Sequence, residues 1–143
     1  MLLSENALFT KVADYASAAT SDVTSASVDM TDYDSVIFLT SYGTPAANNL
    51  IHAECSSDDG SSDTFADLEG SEVDLSGASD EDQWLEIHQP PERYVRCVAQ
   101  RGTSSTLENI WAIQFNAKSI PTDNLTSGTI YGKSIVQPAE GTK

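Results

Sequence analysis

Residues 82–115 have the sequence DQWLEIHQPPERYVRCVAQRGTSSTLENIWAIQF, which contains three runs of alternating apolar and polar side chains. The runs span residues 83–88, 93–100 and 109–116. An alternation with a period of two, rich in β-branched and aromatic residues, indicates half-buried β-strands. Pro90 and Pro91 end the first run, because proline has no N–H for a sheet ladder, and Gly102 opens the break after the second. We expect an antiparallel three-stranded meander around which the remaining chain packs.

The upstream sequence repeats this pattern. Residues 36–39, VIFL, form the most apolar run and predict a strand that is covered on both faces. Residues 49–57 place Ile51, Ala53 and Cys55 on one side of a strand, with His52 and Glu54 on the other. About eight strands with intervening turns favour an all-β fold. We predict a single antiparallel β-sandwich that is jelly-roll-like, with an immunoglobulin-like sandwich as the alternative.

The length of 143 residues is typical of one domain. We assign residues 22–131 to the β-sandwich. Residues 1–21 are expected to form an N-terminal arm or a short helix, because Leu8 and Val12 fit a helical stripe. Residues 132–143 contain two glycines, a proline and little to bury, so an extended C-terminal tail is expected.

The chain is strongly acidic, with a net charge of −15. Residues 1–92 carry 19 acidic side chains against one basic side chain. Such a body repels nucleic acid and anionic membranes, so we expect neither as a direct partner. No run approaches the ~18 apolar residues of a membrane span. The first residues lack the basic and apolar regions of a signal peptide, so synthesis in a cytoplasm is expected.

The sequence contains no recognisable catalytic constellation. It has two histidines, no Gly-rich phosphate loop after a strand and no Gly-x-Ser-x-Gly motif. We therefore expect no enzymatic activity, no cofactor and no metal. Two metal hypotheses were weighed: zinc bound by His52 and His88 with a carboxylate, and calcium held by the acidic loop. The acidic side chains of that loop are Asp58, Asp59, Asp63 and Asp67.

The cysteines and the basic residues allow fewer inferences. Cys55 and Cys97 fall on the expected core faces of two strands, which predicts a pair of buried thiols.

The main bases are Arg93, Arg96 and Arg101, for which we consider internal ion pairs and contacts between subunits. Lys133 and Lys143 would suit an acidic neighbour. Trp84 and Trp111 are expected in the core or as caps on the sheet; exposure of either would indicate a subunit contact or a sugar platform.

Two segments carry a resemblance to a known family. One joins SDDG at residues 57–60 to TFADL at residues 64–68, and the other is RYVR at residues 93–96, after the Pro-Pro turn. Over roughly residues 28–116 the chain resembles small β-sandwich proteins of tailed-bacteriophage virions, which include head-decoration (cement) proteins. It departs from them in extra Ser-Asp residues after Gly60 and in Cys97, where an aliphatic residue is more usual.

The resemblance implies an accessory capsid protein that sits between major capsid subunits, often as a homotrimer. It implies no catalytic residue, because the family has no catalytic motif to match. Our leading hypothesis is a head-decoration protein on the capsid surface of a virion, made in the host cytoplasm, with the major capsid protein as its partner. The alternatives are a carbohydrate-binding β-sandwich module and a tail or connector component of a virion.

Overall fold

The computed structural model describes residues 2–44, 46–74, 82–118, 123–124, 130–133 and 140. These residues contain twelve strands and, apart from one turn of 3-10 helix at Leu3–Glu5, no helix. The strands are β1 (Ala7–Ala13), β2 (Ala16–Ala19), β3 (Val23–Thr24), β4 (Val28–Asp29), β5 (Tyr33–Ser41), β6 (Leu50–Ser56), β7 (Ala66–Asp67), β8 (Val73–Asp74), β9 (Asp82–His88), β10 (Tyr94–Gln100), β11 (Ser105–Leu107) and β12 (Ile110–Ala117).

The strands form two antiparallel sheets and a small ribbon. The four-stranded sheet has the order β1-β12-β5-β9. In the six-stranded sheet, β10 pairs with β3, β4 and β6, and β6 pairs with β7 and β8. Strands β2 and β11 form the ribbon. Strands β3 and β4 can be counted as one interrupted strand, and β7 and β8 as another, with the two ribbon strands left out. The eight strands that result, numbered along the chain, have the order 1-8-3-6 in one sheet and 2-7-4-5 in the other. This order is that of a jelly roll.

This topology excludes the immunoglobulin-like alternative. In an immunoglobulin sheet, strands that follow each other in the chain pair as neighbours, as A and B do. The four-stranded sheet here contains no two consecutive strands. The prediction of an all-β antiparallel sandwich is confirmed, and its jelly-roll form is the one observed.

The core lies between the two sheets. Val36 and Phe38 face inward from β5, Ile51 faces inward from β6, and Val95 and Cys97 face inward from β10; all five are fully buried. Because both inner faces contribute to one apolar cluster, the sheets stabilise each other by removing that surface from water.

The predicted meander of the last three long strands is wrong. Strands β9 and β12 lie on opposite sides of β5, with Val36 opposite Ile87 and Gln114. Strand β10 belongs to the other sheet and pairs with β6. Alternation predicts that a strand exists but not its partner. The short turn at residues 89–93 connects two facing sheets, which lie about 10 Å apart, as readily as it connects two neighbours.

The N-terminal prediction of an arm or a short helix is also wrong. Strand β1 pairs with β12 along the edge of the four-stranded sheet, and β2 pairs with β11. A bulge between Lys11 and Ala13 interrupts the alternation in β1. Val12 joins the core at this bulge, whereas the buried Ala7 lies opposite Phe115, on the same face of the sheet as Trp111.

Two strands face differently from the prediction. In β12, Ile110, Ala112 and Gln114 are buried, whereas Trp111 lies half-buried on the outer face. In β5, Leu39 is 37% exposed, so the apolar run 36–39 is not covered on both faces. Within the predicted tail 132–143, only Gly132, Lys133 and Glu140 are described.

Candidate interaction surface on the four-stranded sheet

The outer face of the four-stranded sheet carries a continuous group of apolar side chains. Residues directly opposite each other on antiparallel strands share one face of the sheet. Trp111 lies opposite Leu39, which lies opposite Trp84, and the next row joins Phe9, Ile113 and Ile37 in the same way. We call these six residues the apolar face.

The apolar face is accessible to solvent. Trp84 is 62% exposed and Leu39 is 37% exposed, while their inner neighbours Leu85 and Phe38 are buried. The other four members are half-buried. Single exposed apolar residues are ordinary, whereas a large contiguous apolar patch is typical of a surface that binds another molecule.

Acidic side chains border the apolar face at the β9 edge. A cleft of about 430 Å³ next to Leu39 and Trp111 is lined by Asp82 and Glu108. Glu86 lies directly opposite Ile37 on the same face. On the other side, Lys11 lies opposite Trp111, and its Nζ contacts the Asp14 carboxylate at 2.5 Å. The border on the β9 side is therefore the negative one.

Residues 123–124 and 130–133 lie at the opposite border. Asn124 Nδ2 donates to the carbonyls of Ser4 and Ala7, each at 2.8 Å, and Asn124 Oδ1 accepts the N–H of Phe9 at 2.7 Å. These bonds occupy the open edge of β1, which would otherwise expose unpaired backbone groups. A cleft of about 560 Å³ lies between Phe9 and Trp111 on one side and residues 130–133 on the other.

Of the predicted contact residues, Trp84 and Lys133 lie at this surface, and Lys133 lines the second cleft. Lys143 lies outside the described residues. The exposed ring of Trp84 meets the condition that the sequence analysis set for a subunit contact or a sugar platform.

Arg93 and Arg96 form ion pairs within the chain. Arg93 donates to both carboxylate oxygens of Asp29, at 2.9 and 2.6 Å, and this pairing lowers the pKa of Asp29 well below its usual value. Arg96 Nε donates to Glu54 at 2.5 Å, and its guanidinium lies 4.0 Å from the centre of the Phe65 ring. Internal pairing therefore describes both residues, and a contact with another subunit stays a prediction.

Arg101 is buried, with 8% of its surface exposed. It donates to the carbonyls of Ser17 and Ser21, each at 2.6 Å, and to the carbonyl of Ser105 at 3.3 Å. The side chain thus fastens the β2–β11 ribbon to the end of β10. This position does not fit the predicted role in a subunit contact.

The two metal hypotheses from the sequence fail on geometry. His52 lies on β6 and His88 on β9, in different sheets and facing away from the shared core, so they cannot share an ion. In the acidic loop, the Asp58 carboxylate accepts three backbone N–H groups at 2.8–3.1 Å, which lowers its pKa. Asp63 accepts the N–H of Ser57, and Asp59 the hydroxyl of Ser27. These carboxylates order the loop and do not converge on a common point.

The prediction of two buried thiols is confirmed. Cys55 and Cys97 are both buried and unpaired. Burial raises the pKa of Cys97 to about 12, and burial together with the nearby Glu92 raises that of Cys55 to about 11.

The comparisons with known protein families and curated proteins gave no match, so a functional assignment depends on the fold and on this surface. In the described part of the chain, no helix has the length and apolar character to cross a membrane. The protein is a jelly-roll sandwich, and the outer face of its four-stranded sheet is apolar, with acidic side chains on the β9 side.

Proposed function

We propose that this protein is a structural virion protein: a head-decoration (cement) protein that binds the outer head surface and stabilises contacts between major capsid subunits. The observation that carries the proposal is the exposed Trp84, which continues into Leu39 and Trp111 on one rigid sheet. Tryptophan is enriched at the energetically dominant centres of protein interfaces. A sheet face also presents such a group with little conformational entropy to lose on binding.

The charges indicate what kind of surface would cover this face. Asp82, Glu86 and Glu108 border the apolar face on the β9 side, and the whole chain carries −15. Two copies that met through this face would bring like charges together, which costs binding energy. We therefore assign the face to a capsid subunit with an apolar patch and a basic border. The expected homotrimer would use a different surface.

The test is particle stability. Particles that lack the protein are compared with particles to which the wild type, Trp84→Ala or Tyr94→Ala has been added, under heat and osmotic shock. Tyr94 is a matched aromatic control, because it is half-buried on the outer face of the other sheet. We expect the wild type and Tyr94→Ala to protect and Trp84→Ala to fail. Equal fragility of particles with and without the protein would reject the role.

A carbohydrate-binding module is the second candidate, and Trp84 also favours it. An exposed indole beside carboxylates can stack on a sugar ring while the carboxylates accept hydrogen bonds from the sugar hydroxyls. Tyr94 is a poorer platform, because the Arg93 guanidinium lies 4.9 Å from the centre of its ring. A glycan array separates the candidates: a hit that disappears in Trp84→Ala favours the module, and the absence of any hit removes it.

A tail or connector component would use the same apolar face against a different neighbour. Electron microscopy of particles that carry a labelled copy distinguishes the two positions. Label over the head surface supports decoration, and label confined to the tail or the connector replaces it.

A further inference from the structure

A histidine and two carboxylates meet on the outer face of the six-stranded sheet, on the opposite side of the molecule from the apolar face. His52 and Glu54 are two residues apart on β6, so both project from the same side. Asp67 on β7 lies directly opposite Glu54 in the strand pairing. His52 Nε2 is 3.2 Å from Asp67 Oδ1 and 3.9 Å from Glu54 Oε1, and all three potential ligand atoms lie within 4.8 Å of one another.

These distances suit a small divalent transition-metal ion. Zinc binds histidine nitrogen and carboxylate oxygen at about 2.0–2.2 Å, so two ligands of a tetrahedral site stand about 3.4 Å apart. The two distances from His52 lie on either side of that value. The Asp67 side chain is 77% exposed, so its carboxylate can adjust its position to a bound ion.

The two ligands on β6 are held more firmly. The side chains of His52 and Glu54 are only 21% and 17% exposed. Arg96 Nε binds Glu54 Oε2 at 2.5 Å, which leaves Oε1 directed towards His52. A hydrogen bond of this kind, from a side chain that does not itself touch the ion, orients a metal-binding carboxylate. The Arg96 guanidinium charge opposes a bound cation, whereas Glu69 and Glu72, which line a surface depression together with His52 and Asp67, favour one.

The backbone near Asp67 is also fixed against β6. The Leu68 N–H donates to the Ala53 carbonyl at 2.8 Å, and the Ser71 hydroxyl accepts the Ala53 N–H at 3.0 Å. Asp67 therefore stays beside His52 while its carboxylate remains open to water, which can fill the remaining coordination position.

We propose that His52, Glu54 and Asp67 form a binding site for one divalent transition-metal ion, with zinc as the ion that this ligand set fits best. The ion would join the short strand β7 to β6 and hold the acidic loop that precedes β7. This inference is independent of the proposed docking function, because the site lies on the other sheet.

The test uses the full-length protein after removal of metal with a chelator. Isothermal titration calorimetry with zinc chloride is run on the wild type, His52→Ala, Asp67→Asn and the control His88→Ala. His88 is the other histidine of the chain, and its Nδ1 contacts the Ser35 hydroxyl at 2.7 Å on the opposite sheet. Magnesium chloride is titrated in parallel.

We expect one zinc ion per chain in the wild type and in His88→Ala, with no binding of magnesium. Mutation of a residue that only supports a metal ligand lowers metal affinity by about 10–100-fold. Loss of a direct ligand in His52→Ala or Asp67→Asn should therefore lower the affinity for zinc by at least that factor. Asp67 is exposed, so Asp67→Asn keeps the test informative if His52→Ala fails to fold. No zinc binding by the wild type, or equal affinity in Asp67→Asn, would overturn the proposal.

Discussion

Trp84 and Leu39 lie directly opposite each other on β9 and β5, and both side chains point away from the core. The next residues along each strand, Leu85 and Phe38, form the buried pair beneath them. The same two strands therefore build a dry core on one side and an apolar contact surface on the other. This relationship separates the residues that maintain the fold from those available to a partner.

The first prediction concerns that separation. Trp84→Ala should change the free energy of unfolding by no more than about 0.5 kcal/mol, because an exposed side chain loses little on truncation. Phe38→Ala should lower it by about 3–5 kcal/mol, because it opens a cavity in the core. Urea unfolding followed by circular dichroism measures both. A Trp84 effect as large as that of Phe38 would mean that Trp84 serves packing.

The second prediction concerns Arg101. Arg101→Ala should lower the free energy of unfolding by about 3 kcal/mol, because it removes a buried charged donor that binds the carbonyls of Ser17, Ser21 and the buried Ser105. Arg93→Ala, which removes an exposed ion pair, should cost much less. Thermal unfolding of the two variants under the same conditions compares them. Equal losses would contradict the role of Arg101 as the fastening of the β2–β11 ribbon.

The third prediction is a pH dependence. The folded protein lowers the pKa of Asp29, chiefly through Arg93, and that of Asp58, through backbone N–H groups, below the ordinary value of 3.8. A lowered carboxyl pKa adds stability that is complete above about pH 4 and is lost as the pH falls through the folded pKa. Urea unfolding below about pH 4 should therefore show a shallower loss in Asp29→Asn than in the wild type.

The control for this experiment is Glu69→Gln, which changes an exposed acid outside these contacts. It should keep the wild-type slope of stability against pH. The same slope in Asp29→Asn and in the wild type would mean that the Asp29–Arg93 pair does not stabilise the fold.

The fourth prediction concerns the thiols. Cys55 and Cys97 are buried, and burial raises the pKa of each, to about 11 and about 12, so little reactive thiolate forms near neutral pH. Both thiols should react slowly with a thiol reagent in the native protein and rapidly in denaturant. Fast modification of either thiol under native conditions would show that its strand opens.

The sequence predicted the strands better than their partners. Alternation located β6, β9, β10 and β12 to within a residue or two, because each has one buried face. It could not show that β9 and β12 share β5, since pairing depends on contacts that are distant in the sequence. In β1 the bulge at Lys11 removed the alternation itself, so only the tertiary structure identifies that strand.

The site was predictable only in part. Trp84 was identified as a residue whose exposure would matter, but the sequence did not distinguish the inner face of β12 from its outer face, because Trp111 and Ile113 are as apolar as the buried Ile110 and Ala112. Arg101 was taken for a surface residue, since nothing in the sequence places carbonyls around it. The His-x-Glu spacing of residues 52–54 was visible, whereas Asp67 became its neighbour only through the β6–β7 pairing.

The central claim is that the apolar face binds the capsid. The most direct measurement is co-sedimentation of the purified protein with heads that lack it, for the wild type, Trp84→Ala and the control Tyr94→Ala. The account predicts that the wild type and Tyr94→Ala sediment with the heads and that Trp84→Ala stays in the supernatant. Sedimentation of Trp84→Ala to the same extent as the wild type would contradict it.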